Sequence, residues 1–143
     1  MTRIQFFHGA ADRAQTAVAW LTAAHGRGAR VIVYAPDAAQ AEHLDRLLWT
    51  HPSTGFLPHC GADSPLAGDT PILIDRTLDN ASGDEYLLNL SDDVPPGFAR
   101  FRDMVEIVSR DEAVVRAARE RFRFFRDRGY ELANRDISRG FEE

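Results

Sequence analysis

VIVYAPDAAQAEHLDRLLW, running from Val31 to Trp49, decides the class of fold. Val31-Ile32-Val33-Tyr34 is a nearly continuous apolar run, as expected of a strand covered on both faces. Asp37 stands where its side chain can cap a helix, and Ala41, Leu44 and Leu48 share one face of that helix. The unit before it has the same form. Ile4-Gln5-Phe6-Phe7 reads as a short strand, and His8-Gly9 turns out of it. From Asp12 to His25, residues Ala14, Ala17, Val18, Leu21 and Ala24 recur at spacings of three and four, which predicts a helix with one buried stripe. Gly26 is placed to stop it in a left-handed cap. A strand-helix-strand-helix start implies right-handed crossovers, so the expected fold is α/β, a mostly parallel sheet with helices on both faces.

Beyond Trp49 the pattern breaks. Leu48 to His59 reads LWTHPSTGFLPH: it stops at His51-Pro52, turns through Ser53-Thr54-Gly55, and presents Phe56 and Leu57 before Pro58-His59. The segment suits neither helix nor sheet, so its large apolar residues either plug the core from a loop or meet a partner. Gly61 to Pro71 reads as a plain surface loop. Ile72-Leu73-Ile74 and Tyr86 to Leu90 are further strands, joined by a polar turn around Asn80 to Gly83. Val94 to Phe98 predicts a bend with a short helical turn behind it. Met104 to Val108 alternates like a half-exposed strand. Asp111 caps the last and longest helix, which reaches about Arg128 and is ended by Gly129. From Tyr130 onward the chain reads as a polar tail with Leu132, Ile137 and Phe141 as docking points. No repeat or linker divides residues 1–143, which read as a single domain.

Composition narrows the function. An apolar fraction of 44% and a charged fraction of 27% belong to a soluble globular protein, with no run near the ~20 residues of a membrane span. The N-terminus lacks a signal-peptide pattern, and the single cysteine, Cys60, excludes an intramolecular disulfide; both suit the cytoplasm. A net charge of -5 argues against broad binding to nucleic acid. Every basic side chain is arginine. Without lysine there is no phosphate-loop lysine, no Schiff base and no lysine general base.

Three candidate chemistries fall away on inspection. The first strand-to-helix turn, His8-Gly9-Ala10-Ala11-Asp12, has one glycine where the dinucleotide fingerprint needs three. The second, Ala35-Pro36-Asp37, has none and puts a carboxylate where phosphate would sit. A nucleotide site is therefore lacking, and a small-molecule or nucleotide-binding enzyme remains only as the competing reading. His51, His59, Cys60 and Asp63 match no common zinc spacing, so no metal is expected. Cys60 beside His59 makes a poor nucleophile pair, because neighbours on extended backbone point apart. No catalytic residue and no cofactor is assigned.

The last helix carries more. At about 100° per residue, Val114, Val115, Ala118, Phe122 and Phe125 form one stripe facing the sheet. Arg116, Arg119, Arg123 and Arg126 line an adjacent face. Between Arg110 and Arg128, seven arginines and four acids give a local +3, against -8 in the rest of the chain. Arginines rimming Phe122 suit a peptide that bears carboxylates and one large apolar side chain. Trp49 lies roughly 100° off the Ala41-Leu44-Leu48 stripe, and with Phe56 it has the character of an interface anchor.

The order of features resembles the chi subunit of bacterial DNA polymerase III over most of the chain. The resemblance rests on Arg30-Val31-Ile32-Val33, on Leu44-Asp45 running into Leu48-Trp49, on Phe56-Leu57-Pro58-His59, and on Ala118-Arg119-Glu120-Arg121-Phe122. It implies a Rossmann-like sheet without a nucleotide site and a non-catalytic accessory subunit. It further implies a bridge between single-stranded DNA-binding protein and the clamp loader, usually through a partner called psi, with nucleic acid contacted mainly indirectly. By the same resemblance, the acidic C-terminal tail of the single-stranded DNA-binding protein, ending in Pro-Phe, would dock on Arg119, Phe122 and Arg123 with Val108 beside them. Val115 occupies a position that can be basic in the family, and Arg116 and Arg126 extend the basic face. Psi, or an iron-sulfur helicase, would use Trp49 and Phe56, with Pro58 and His59 adjoining.

Overall fold

Apolar strands that read as continuous runs need cover on both sides, and the computed structural model supplies it in two layers. It describes residues 1–50, 57–79 and 83–140. The elements are β1 (Arg3–Ala10), α1 (Arg13–Gly26), β2 (Val31–Tyr34), α2 (Ala38–Thr50), β3 (His59–Gly61), β4 (Ile72–Asp75), β5 (Tyr86–Asn89), β6 (Asp103–Ser109), α3 (Glu112–Asp127) and β7 (Glu131–Asp136). The strands form one sheet in the order β3-β4-β2-β5-β6-β1-β7, and every neighbouring pair is parallel. On one face Val18, Leu21, Leu44 and Leu48 of α1 and α2 pack on Phe7, Val33, Leu88 and Ile107. On the other, Ala118 and Phe125 of α3 pack on Ile4, Phe6, Leu87 and Met104.

Each long helix starts on an aspartate. Asp12 accepts the backbone N–H of Gln15, Asp37 those of Ala39 and Gln40, and Asp111 those of Ala113 and Val114. Caps of this kind satisfy orphan donors, and they also place a carboxylate where a helix would otherwise attract an anion.

Four expectations need correction. The helix α1 continues through Gly26, and the left-handed residue is Gly28, at φ +76°. Strand β6 is not half-exposed: from Met104 to Ser109 every residue is buried, because α1 covers one face and α3 the other. The segment before Cys60 is not wholly irregular, since His59–Gly61 adds a short edge strand beside β4. The segment after Tyr130, expected as a polar tail, holds a strand as well. It forms β7, which pairs along β1 from Arg3↔Glu131 to His8↔Asp136, with Ile137 buried behind it. Phe141 lies outside the described residues.

Burial of β6 creates the strongest internal constraint. Glu106 is fully buried, and Arg121 of α3 forks onto it, Nε donating to Oε2 at 2.9 Å and Nη2 to Oε1 at 3.0 Å. Asn89, the register partner on β5, donates from Nδ2 to the same Oε2 at 3.0 Å. Burial pushes the Glu106 carboxyl up; Arg121, Asn89 and Arg13 draw it back without cancelling the rise. Arg121 thus fixes the rotation of α3 about its axis, and with it the face that α3 shows to solvent.

Candidate functional site

A cleft of about 590 Å³ opens between α3 and the ends of β1, β6 and β7. Its helix wall is Val115, Ala118, Arg119, Phe122 and Arg123; its strand-end wall includes His8, Gly9, Val108, Ser109 and Arg110. Phe6 and Asn134 complete the lining. Phe122 is half-buried and meets Phe6 edge-on, with ring centroids 5.3 Å apart. Phe6 in turn lies 6.4 Å from Phe125, the fully buried anchor of the helix. The amphipathic pattern of α3 therefore does two jobs. Ala118, Arg121 and Phe125 seat the helix, while Phe122 at the stripe's margin is held by aromatic contact and left partly open.

The four arginines of the basic face divide. Arg119 and Arg123 line the cleft; Arg116 and Arg126 do not. Arg116 pairs with Glu112 at 3.2 Å, Arg126 with Asp127 at 3.3 Å, and Arg123 with Glu120 on the same helix. All three are exposed pairs, worth at most about 1 kcal/mol each and easily exchanged for a partner's carboxylate. Arg119 makes no hydrogen bond or ion pair among the described residues.

This cleft stands where an open α/β sheet commonly holds its ligand. Strands β1 and β6 are neighbours, yet β1 leads into α1 on one face and β6 into α3 on the other, so their outgoing loops part at this point. With the N-terminus of α1 capped by Asp12 and that of α3 by Asp111, the crevice offers an apolar floor and arginines, not a phosphate cradle. Nothing among the described residues indicates a nucleotide site.

The family model described as DNA polymerase III chi subunit, HolC matches residues 1–133. The chain belongs to that family. It is 30% identical to the DNA polymerase III subunit chi of Pseudomonas aeruginosa, with 97% of this chain and 99% of that protein covered. The Escherichia coli and Haemophilus influenzae proteins of the same name are 29% and 28% identical, covering 73% and 77% of this chain. This chi-family chain is accordingly an accessory subunit of the replicative polymerase, with protein partners in that assembly. No helix among the described residues is long and apolar enough to cross a membrane.

On this chi-family chain the second candidate face sits at the end of α2. Trp49 is 60% exposed, and its ring meets His59 edge-on with centroids 4.9 Å apart. His59 is buried; its Nδ1–H donates to the Leu57 carbonyl at 2.7 Å, and Nε2 stands 3.1 Å from Asp45 Oδ1. The imidazole thus ties its own turn through Leu57 and packs edge-on under an exposed indole, while Nε2 makes no hydrogen bond despite its closeness to Asp45. Pro58 is half-buried next to it. Phe56, expected on the same face, and His51 lie outside the described residues. Cys60 packs towards the α3 side of the sheet, away from His59's partners on α2.

The residues that local spacing could not find are those brought in from elsewhere. Arg121 looked like one more charge on a basic helix, and Glu106 like the polar member of an alternating strand. Only their pairing across 15 residues shows both to be buried. His8 and Arg110 join the cleft through the adjacency of β1 and β6, which no helical periodicity reports.

Proposed function

We propose that the cleft beside α3 binds the acidic C-terminal tail of single-stranded DNA-binding protein, and that the chain links that protein to the clamp loader without catalysing a reaction. The observation that carries this reading is the convergence of Val108, Val115, Arg119, Phe122 and Arg123 on one apolar, arginine-rimmed cleft. An extended tail with carboxylates and one terminal aromatic ring matches it in charge and in shape. The Trp49 face, on the opposite layer of the sheet, suits a second protein, a psi-type subunit or an iron-sulfur helicase. Two separate faces are what a linking subunit requires.

Calorimetry with a tail peptide tests the first site. Arg119→Ala and Phe122→Ala should each weaken binding at least about tenfold, which is ~1.4 kcal/mol, while the circular dichroism spectrum is unchanged. Binding should also fall with added salt, since exposed charges are screened over about 8 Å at physiological ionic strength. A cleft of this volume also lies within the range of small-molecule pockets. A thermal-shift screen of nucleotides and phosphorylated metabolites beside the peptide separates the two classes. Stabilisation by a metabolite and none by the peptide overturns the proposal.

A further inference from the structure

We infer that the cleft reads two separate carboxylates of its peptide, and that the second reader is Arg110, on the strand-end wall facing α3. This rests on the reading that an acidic tail occupies the cleft, and it adds a residue that the helical face does not contain. Arg110 follows β6 directly, is exposed, and lines the cleft together with His8 and Ser109. Its guanidinium makes no hydrogen bond or ion pair among the described residues; only its backbone N–H is engaged, donating to the Ala10 carbonyl at 3.2 Å. Asp136, an acid at the end of β7, is committed elsewhere. Its Oδ1 accepts the Ser138 N–H at 2.8 Å, and that bond, ahead of the fields of His8 and Arg110, holds its carboxyl below the usual range.

The cleft therefore offers two uncommitted guanidinium groups from opposite walls, Arg119 and Arg110, whereas Arg123 already holds Glu120. Eight residues separate them, almost all helical, so their backbones stand roughly 12 Å apart along the axis of α3 at ~1.5 Å per residue. An extended peptide covers that span in about four residues at ~3.3 Å each. Val115 and Ala118 lie between the two cations and supply an apolar seat. The occupant is thus a tail with two carboxylates about four residues apart and a large apolar side chain between or beside them. One positive group would set only approximate affinity; two at fixed separation also set register.

The test is a cycle between protein and peptide variants, read by calorimetry. Three peptides are compared: the acidic tail with a free C-terminus, the same tail amidated, and the tail with the acidic residue about four positions upstream of its end changed to the amide. Arg110→Gln and Arg119→Gln should each weaken the free-acid tail about fivefold to tenfold. Each should lose its effect with a different one of the two charge-deleted peptides. If Arg110→Gln binds all three peptides as the parent does, while Arg119→Gln and Phe122→Ala abolish binding, the two-carboxylate inference fails and the tail site stands. An equal weakening of all three peptides by Arg110→Gln also overturns it, because a general field reads no particular group. Absence of binding to every peptide by the parent protein defeats both.

Discussion

Removing the guanidinium of Arg121 should be among the most damaging single changes in this protein, and the damage should depend on pH. Arg121→Ala leaves Glu106 fully buried with Asn89 as its remaining direct donor. Breaking one partner out of a buried pair costs about 3–5 kcal/mol, because an uncompensated charge stays in the interior. For a chain of this size that corresponds to a fall in Tm on the order of 10 °C. The pH dependence follows from Glu106, whose folded-state titration burial already lifts above the ~4.3 of a free glutamate. A group with a raised folded pKa adds most below its unfolded value and loses that contribution as pH rises through the folded value. Arg121 is the largest influence opposing the rise, so its loss moves the folded value further up. The variant's deficit should therefore be smallest near pH 4–5 and grow towards neutrality, each unit of additional shift adding about 1.4 kcal/mol. Urea unfolding at pH 5 and pH 8, followed by circular dichroism, measures it. A deficit under about 1 kcal/mol, or one equal at both pH values, refutes the reasoning. The paired variant Glu106→Leu/Arg121→Met removes both charges together with the unpartnered Nη1 of Arg121, and should return to within about 2 kcal/mol of the parent.

Trp49→Ala should barely change stability, since the ring is mostly exposed and its edge contact with His59 is worth about 0.5–1.5 kcal/mol. A Tm shift within roughly 4 °C, with loss of a partner other than single-stranded DNA-binding protein in a pull-down, is expected; a larger Tm loss with partners retained makes Trp49 a core residue. Gly9→Ala should destabilise by about 1–2 kcal/mol, because Gly9 sits at φ +83° and a Cβ there would lie 2.8 Å from Asp136 Oδ1. The same change should weaken tail binding through displacement of the β1–β7 edge, and a tail affinity equal to the parent's would detach that edge from the site.

What could be read in advance followed from periodicity. The apolar run of β2, the stripe of α2 and the face shared by Arg119, Phe122 and Arg123 are local patterns, and the structure places them as their spacing implied. Strand β7 escaped because an edge strand so little covered carries little apolar signal: in Glu131–Asp136 just Leu132 and Arg135 are even half-buried, one on each face, and only the first is apolar. Strand β3 escaped because three residues ending in glycine have no period to detect. The burial of Glu106 and Arg121 was hidden for another reason. Each side chain reads as solvent-exposed alone, and only a pair can enter the interior. The helix wall of the cleft was legible and its strand-end wall was not, because His8 comes beside Arg110 only after β1 has paired with β6.

The placement of β1 between β6 and β7 has a consequence for how the chain is made. The first strand finds its earliest partner a hundred residues later, with Arg3 opposite Asp103. During synthesis Ile4 and Phe6 must wait, apolar and without the strand they pair beside, until β6 has left the ribosome. Such long-range pairing slows folding and lengthens the exposure of sticky intermediates. The two strands that bound the cleft beside α3 are thus joined only once β6 has been made, so nascent chains should lack a competent cleft until Ser109 has emerged.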